Sequence, residues 1–265
     1  TKPGIPVAHA EAGLRSFDRT MPEEQNRVVV DALASPGLTP SPDADANLAH
    51  EGVHPARVHR VGNIMIDSLY FAAERSASST ILDQFGLDER GYALVTLHRP
   101  AMVDSPEHLR SVITMLSSLS EQLPIVFPVH PRTRQTIAGL DLQVPSSLVL
   151  GEPLRYLDFV RMESCARLVL TDSGGVQEET TALGVPCLTL RTSTERPITV
   201  DQGTNQVVGT DPATILAAAH ATLAAPPAPR KPELWDGHTA ERAVAAIQRP
   251  VDASAWAPYD LGAGA

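Results

Sequence analysis

Residues 168–186 read LVLTDSGGVQEETTALGVP, and this stretch decides the fold of the chain. Its apolar start predicts a β-strand that ends at Asp172, and a turn at Ser173, Gly174 and Gly175 then leads into a helix. Glycines let a backbone approach a ligand closely, and the first amides of a helix have no partner inside it. The turn therefore suits a phosphate, although the same pattern also suits an ordinary helix that Ser173 caps. It matches neither the GxGxxG pattern nor a P-loop, which disfavours nicotinamide and ATP as ligands.

Apolar, β-rich runs recur on both sides of this stretch, and segments with helical periodicity separate them. The runs lie at 92–97, 124–129, 147–150, 167–171, 185–190 and 206–208. Apolar residues recur at helical spacing from Leu109 to Leu116 and predict a helix over 105–121. Strands that are apolar throughout and alternate with helices are typical of a parallel sheet covered on both faces. Residues 80–224 are therefore predicted to form a doubly wound, Rossmann-like, nucleotide-binding domain.

The first 79 residues have a different organisation. They predict short strands and helices at 5–8, 22–34, 43–51, 57–61 and 64–75, the first and fourth being strands. Because two strands cannot close a sheet, residues 1–79 are interpreted as the C-terminal part of an incomplete N-terminal Rossmann-like domain. The expected fold class is thus α/β, with two Rossmann-like domains and parallel sheets. We expect 225–248 to be a Pro-rich linker and a final helix, and 249–265 to be a flexible tail.

The composition excludes several classes of protein. Of 265 residues, 43% are hydrophobic and 20% are charged, which is ordinary for a globular chain. No apolar run approaches the ~18 residues that a membrane helix needs, so no membrane insertion is expected. The net charge of −10 argues against a nucleic-acid partner, because duplex binding needs clustered cations. Cys165 and Cys187 form neither a disulfide framework nor a metal-binding pattern, so a cytoplasmic location and no metal are expected.

Polar residues follow the predicted strands where the strands end. His98 and His130 each directly follow an apolar run, and Arg196 lies just beyond another. The carboxyl ends of parallel strands meet at one edge of a sheet, and ligands bind at that edge. A histidine there can donate to a pyrophosphate or move a proton, although any one of these residues alone would also suit an ordinary loop. Glu178 and Glu179, in the helix after the glycine turn, are candidates to accept hydrogen bonds from a ribose.

Two segments near the start of the chain carry acids. HAEAGLRS, at 9–16, places Glu11 directly after a short apolar run, and RTMPEEQNR, at 19–27, places Glu23 at a helix start. Thr20 and Glu23 have the spacing of a capping box, which offers a purely structural alternative. Glu11 has no comparable explanation. A carboxylate in a partly dry cleft can be tuned to move a proton, so Glu11 is predicted to do acid–base work.

In their order along the chain, these segments resemble the bacterial non-hydrolysing UDP-N-acetylglucosamine 2-epimerases. The resemblance covers residues 5–248 and rests on HAEAGLRS, MPEEQNR, RVGNIMID, TLHRP, PVHPR, TDSGGVQEE and TERP. The family has a two-domain fold similar to that of the GT-B glycosyltransferases, with the nucleotide sugar in the cleft between the domains. The resemblance also implies that about 100 residues of the epimerase are absent before residue 1, enough to complete a domain of normal size.

The resemblance implies an elimination and re-addition on UDP-N-acetylglucosamine, in precursor supply for surface polysaccharide. A base removes the C2 proton while UDP leaves C1, which gives 2-acetamidoglucal. UDP then adds back while a proton reaches the opposite face, which gives UDP-N-acetylmannosamine. Glu11 and Glu23 match the acid–base carboxylates of the family, and His98 matches its catalytic histidine near the pyrophosphate. The positions that hold UDP are matched by His130, Ser173, Gly174, Gly175, Glu179 and Arg196.

Arg15 and Glu178 are weaker candidates for the site. No metal or redox cofactor is implied. The family tends to form dimers, so a homodimer is expected. The sequence also departs from the family pattern: HRxEN becomes His98 to Met102 reading HRPAM, and Ile198 stands where TERP is normally followed by Glu.

Three other functions share part of this pattern. A hydrolysing relative would release free N-acetylmannosamine and UDP. A GT-B glycosyltransferase shares the fold and the UDP site but would not need Glu11 and Glu23 as a pair. A non-catalytic remnant would bind UDP without turning it over.

Overall fold

The computed structural model describes residues 6–249, and these divide into two compact units. The first unit contains residues 6–67 and 233–249, and the second contains residues 68–232. The sequence places its boundaries at 79/80 and 224/225 instead. The first boundary differs because one continuous helix, Ile64–Ser76, carries the chain from the first unit into the second. The flexible tail expected at 249–265 lies, apart from residue 249, outside the described residues.

The first unit is built on a three-stranded parallel sheet with β2 in the centre. Its elements are β1 (His9–Ala10), α1 (Pro22–Leu33), β2 (Gly37–Thr39), α2 (Pro42–His50), β3 (Val58–Arg60) and α3 (Ile64–Ser76). The three helices and β3 lie within one residue of their predicted bounds. The strand expected at 5–8 is wrong, since residues 6–8 are not in a strand and β1 begins at His9. The strand β2 is not predicted from the sequence, because three residues between Pro36 and Pro40 are too short to show an alternating pattern.

The second unit is built on a six-stranded parallel sheet in the order β6-β5-β4-β7-β8-β9. Its elements are α4 (Ile81–Phe85), β4 (Ala93–Thr96), α5 (Pro100–Val103), α6 (Pro106–Ser120), β5 (Ile125–Pro128), α7 (Pro131–Ala138), β6 (Leu148–Gly151), α8 (Tyr156–Cys165), β7 (Leu168–Thr171), α9 (Gly174–Leu183), β8 (Cys187–Thr189), α10 (Pro197–Asp201), β9 (Asn205–Val207) and α11 (Pro212–Ala224). Every strand predicted here is present, so the parallel α/β architecture is confirmed. In the part of the chain that is described, no helix is long and apolar enough to cross a membrane.

Successive residues of the strands pack into cores on opposite faces of this sheet. Val95 and Leu170 belong to a core cluster with α6, whereas Leu94 and Val169 belong to one with Met162 of α8. Because side chains alternate along a strand, a strand that is apolar throughout buries both of its faces. The continuous apolar runs of the sequence therefore follow from helices on both sides of the sheet.

The described chain ends in the first unit. After α11 it returns there and forms α12 (Thr239–Ile247). Trp235 is 1% exposed and donates its indole N–H to the Pro40 carbonyl at 3.1 Å. The Asp67 carboxylate accepts the Thr239 amide, 172 positions further along the chain, at 3.0 Å. The final helix expected within residues 225–248 is thus part of the first unit, through contacts that no local pattern encodes.

We expect Trp235→Ala to lower the free energy of unfolding by about 3–5 kcal/mol, because it removes a fully buried indole. The measurement is urea denaturation followed by circular dichroism. Val244→Ala on α12 is the matched control, because its side chain is 52% exposed, and it should cost less than about 0.5 kcal/mol. Equal losses in the two variants would contradict the packing role of Trp235.

Candidate active site

Four neighbouring strands of the second unit bring candidate residues to one edge of its sheet. The strands β5, β4, β7 and β8 are adjacent in this order. His130 follows β5, His98 follows β4, Ser173 follows β7, and Arg196 follows β8 after a short loop. Because all of these strands are parallel, the segments that follow them meet at the carboxyl edge.

Asp172 orients His98. Its side chain is 0% exposed, accepts the backbone N–H of His98 at 2.9 Å and that of Arg99 at 2.8 Å, and lies 2.9 Å from His98 Nδ1. The hydrogen bond that His98 Nδ1 donates to the Asp172 carboxylate raises the pKa of His98 above its ordinary value, although burial opposes the shift. The imidazole is 58% exposed, so its Nε2 can reach a ligand. In the sequence alone, Asp172 marks only the end of a strand.

His130 lies near His98 and presents a donor. It is the N-cap residue of α7, and its Nδ1 accepts the Arg132 amide at 3.3 Å. A neutral imidazole that accepts through Nδ1 carries its hydrogen on Nε2, which is therefore available to donate. His98, His130, Arg132 and Asp104 line one cavity of about 300 Å³.

The glycine turn leaves the start of α9 open to a ligand. Ser173 occupies the N-cap position, but its side chain makes no capping hydrogen bond, so the ordinary-cap alternative does not describe this turn. A Cβ built on Gly174 would lie 2.7 Å from Glu195 Oε1, which explains the absence of a side chain there. The partly exposed amide end of a ten-residue helix favours an anion.

Charged side chains after β4 and β8 form ion pairs beside this turn. Arg191 Nη2 lies 2.8 Å from Glu195 Oε2, and Arg99 Nη2 lies 3.8 Å from Glu195 Oε1. Burial favours the neutral form of Glu195, but the hydrogen bond and charge of Arg191 outweigh it and lower the pKa of Glu195 to about 2. Arg191 is not among the residues predicted from the sequence, although it directly follows an apolar run, as His98 and His130 do.

The two weaker candidates, Glu178 and Arg15, form ion pairs with other side chains. Arg196 Nε lies 2.6 Å from Glu178 Oε1, and Glu178 is 2% exposed. Arg15 lies 2.8 Å from Asp31 and 2.6 Å from Glu51, with its side chain 1% exposed. Glu178 and Arg15 therefore have structural partners within their own units.

Glu179 is a buried carboxyl on α9. It accepts the hydroxyl of Tyr156, at the start of α8, with 3.2 Å between Tyr156 Oη and Glu179 Oε1. Burial raises the pKa of Glu179, and the Tyr156 hydrogen bond partly offsets that effect.

In the first unit, Asp31 organises the loop that carries Glu11. Glu11 directly follows β1 with φ at 61°, in the left-handed region. Asp31 accepts the Gly13 amide at 3.0 Å and also bonds His9 Nδ1 and Arg15. Burial would raise the pKa of Asp31, but these partners outweigh it and lower that pKa. The buried Asp31 carboxylate thus holds both sides of Glu11.

The adjacent acids Glu23 and Glu24 have opposite environments. Glu23 is exposed, whereas Glu24 is 3% exposed and accepts the amides of Ser16 and Phe17, each at 2.9 Å. The capping box that Thr20 and Glu23 could form is absent, because Met21 is the N-cap residue and no side chain caps α1. Glu24 therefore fixes the loop before α1, while Glu23 faces solvent within this unit.

Within residues 6–249, no group of three or more His, Cys, Asp or Glu side chains is arranged to hold a metal ion. Cys165 and Cys187 are both buried free thiols.

A model of the UDP-N-acetylglucosamine 2-epimerase family matches residues 1–248. The chain belongs to this family. The UDP-N-acetylglucosamine 2-epimerase of Methanococcus maripaludis is 39% identical over 226 residues, which cover 82% of this chain and 62% of the relative. The UDP-2,3-diacetamido-2,3-dideoxy-D-glucuronate 2-epimerase of Pseudomonas aeruginosa is 38% identical over 222 residues, which cover 83% of this chain and 61% of the relative. This epimerase-family chain thus spans less than two thirds of the length of either curated relative.

The crystal structure of the Methanocaldococcus jannaschii UDP-N-acetylglucosamine 2-epimerase, in complex with UDP-N-acetylglucosamine and UDP, is similar to this chain. The TM-score is 0.82 at 37% sequence identity, and the match covers 93% of this chain and 70% of that one. The family resemblance and the GT-B-like α/β class predicted from the sequence are both confirmed.

Glu24→Gln should lower the free energy of unfolding of this epimerase-family chain by about 1–3 kcal/mol, because it weakens charge-assisted bonds to two amides. The pKa of Glu24 is lowered because its amide partners outweigh burial. The contribution of Glu24 to the free energy of unfolding is therefore present above the ordinary Glu pKa, and it is lost as pH falls through the lowered pKa of Glu24. Urea denaturation at neutral and acidic pH measures both effects. Glu23→Gln is the matched control, and a loss of stability in it equal to that of Glu24→Gln would refute the assignment.

Asp172→Asn should lower the pKa of His98 towards its ordinary value, because the variant removes the charge that stabilises the imidazolium. In the wild type, the Asp172–His98 ion pair stabilises the folded state below the ordinary histidine pKa. This stabilisation is lost as pH rises through the raised pKa of His98. NMR titration of the imidazole carbon resonances measures the shift. Asp104→Asn, in the wall of the same cavity, should leave the His98 titration unchanged. An unchanged His98 pKa in Asp172→Asn would contradict the pairing.

Proposed function

We propose that this chain interconverts UDP-N-acetylglucosamine and UDP-N-acetylmannosamine, in precursor supply for surface polysaccharide. The observation that carries the proposal is the carboxyl edge of the second unit, where an open helix start, two histidines and buried arginines follow adjacent strands. Such an edge suits a diphosphate. Membership of the family and the relative solved with UDP-N-acetylglucosamine and UDP support UDP as the ligand.

In this proposal the second unit holds UDP. The Ser173 hydroxyl and the amides of Gly174 and Gly175 bind phosphate oxygens at the helix start, while the Ser173 amide donates to the Thr171 hydroxyl. Glu179 accepts hydrogen bonds from the ribose hydroxyls, and His130 donates to UDP through Nε2. Arg196 adds positive charge, and so does Arg191, whose Nη1 has no hydrogen-bond partner among the described residues.

The reaction proposed is an elimination followed by re-addition. A base takes the C2 proton, the C2–H electron pair becomes the C1=C2 double bond, and the C1–O bond breaks with its pair on UDP. In the second step a UDP oxygen bonds C1 again, while a proton adds to C2 from the opposite face. Because the C2 proton is weakly acidic, stabilisation of the leaving diphosphate must supply much of the barrier lowering. His98, whose protonated form the neighbouring Asp172 carboxylate favours, is suited to that role.

Glu11 and Glu23 are proposed to move the protons. Glu11 lies in a loop that the buried Asp31 carboxylate holds, and Glu23 follows a loop that the buried Glu24 carboxylate holds. Inversion through a flat intermediate needs a proton acceptor and a proton donor on opposite faces, which explains a requirement for two acids.

A second substrate is favoured by one observation. The Pseudomonas aeruginosa relative is named for a UDP-2,3-diacetamido-2,3-dideoxy-D-glucuronate, at nearly the same identity as the first relative. The elimination at C1 and C2 is the same for both sugars, so the second differs only in its substituents at C3 and C6.

The test is a proton NMR time course of UDP-N-acetylglucosamine in D₂O with the full chain. We expect deuterium at C2 and growth of the anomeric signal of UDP-N-acetylmannosamine. Glu11→Gln should lower the rate about 10²- to 10⁴-fold, because general acid–base catalysis contributes on that scale. Glu74→Gln, an exposed acid on α3, is the control and should retain the wild-type rate.

The other outcomes identify the alternatives. Release of UDP with free N-acetylmannosamine would assign the chain to the hydrolysing type. Turnover of the diacetamido glucuronate alone would favour the second substrate. An unchanged spectrum, with UDP bound, would overturn catalysis by this chain and leave a UDP-binding protein.

A further inference from the structure

Glu163, on α8, is a buried carboxyl that the proposed chemistry does not use. Its side chain is 0% exposed, and neither oxygen has a hydrogen-bond donor among the described residues. An ionised carboxylate in that position would lose its hydration without any replacement, which is strongly unfavourable. Burial accordingly raises the pKa of Glu163 well above its usual value, and the charge of Glu179 raises it further.

The groups that face Glu163 come from three elements. Glu179 is on α9, which packs on α8, and it is within hydrogen-bonding reach of Glu163. Burial and, less strongly, the charge of Glu163 raise the pKa of the Cys187 thiol of β8. Tyr156, also on α8, reaches the same cluster through Glu179. Asp83 of α4, the helix that packs on α8, is exposed. No cation is therefore available to neutralise Glu163 among the titratable groups that face it in residues 6–249.

Two adjacent carboxylates cannot form a hydrogen bond to each other, since neither has a hydrogen to donate. With one proton between them, the pair is satisfied. Glu179 already accepts the Tyr156 hydroxyl and is 7% exposed, whereas Glu163 is fully buried and has no donor. The negative charge is therefore better placed on Glu179, and the proton on Glu163.

We propose that Glu163 is a positioning residue that remains a neutral acid and donates its O–H to Glu179, which is thereby held as an ionised acceptor for the ribose diol of a nucleotide. This inference rests on the proposed function, which assigns the ribose to Glu179. Tyr156 and Glu163 hold the Glu179 carboxylate from two directions. When the shared proton is lost at high pH, repulsion between the two carboxylates displaces Glu179, and recognition of the diol is lost.

The test compares the affinities of the full chain for UDP and 2′-deoxy-UDP across neutral to alkaline pH, by calorimetry. The two ligands have the same phosphates, so the ratio of their dissociation constants isolates the ribose contact. In the wild type we expect a preference for UDP of about tenfold at neutral pH, falling towards one as pH rises. Glu163→Gln donates an N–H permanently, so its preference should persist at all pH values. Glu163→Met has similar length but no donor, so its preference should be absent throughout.

Carbon-13 NMR of carboxyl-labelled glutamate is a second, independent measurement. A glutamate carboxyl that stays protonated above the usual range should be present in the wild type and absent in Glu163→Gln. Absence of that signal in the wild type would overturn the shared proton. A wild-type preference that Glu163→Met retains would overturn the positioning role. If the signal is present but UDP shows no preference over 2′-deoxy-UDP, the assignment of ribose to Glu179, and not the carboxyl pair, is wrong.

Discussion

The buried carboxylate of Asp172 joins the ends of two central strands, and the geometry of the second unit's edge depends on it. It accepts two successive amides after β4, at His98 and Arg99, and pairs with the His98 imidazole. Arg99 in turn donates through Nε to the Asp172 carbonyl at 2.9 Å. A loop that leaves a parallel strand has backbone donors with no sheet partner, and a buried carboxylate satisfies them while carrying negative charge to the imidazole. One side chain thus holds the backbone path and also favours the protonated form of His98.

The first unit uses the same device twice. Asp31 and Glu24 are buried carboxylates that accept loop amides, at Gly13 and at Ser16 and Phe17 respectively. Each leaves a neighbouring acid less buried, Glu11 in one loop and Glu23 beside the other. In all three places the most buried acid has a structural function, because an unpaired buried charge would be too costly to retain.

Two departures from the family pattern pack into the protein interior. Met102, in the HRPAM segment, is 1% exposed and belongs to the same core cluster as Leu109 of α6. Ile198, after TERP, is 4% exposed on α10. Both apolar side chains fill core positions, so in these motifs the polar groups of the family pattern are replaced by buried apolar contacts. The histidine and arginine that precede them keep their contacts with Asp172 and Glu178.

The sequence by itself determined the parallel α/β class, the six strands of the second unit, nearly all the helix bounds of the first, and the family. These follow from local periodicity, from strands buried on both faces, and from motifs whose order is written in the chain. Only the tertiary structure decided which of Glu23 and Glu24 is buried, that Asp172 governs His98, and that α12 returns to the first unit. It also decided that Glu163 of α8 lies beside Glu179 of α9. Each of these depends on contacts between residues that are distant in sequence, or on which side of a helix faces the core at one position. A pattern of residue types carries neither kind of information.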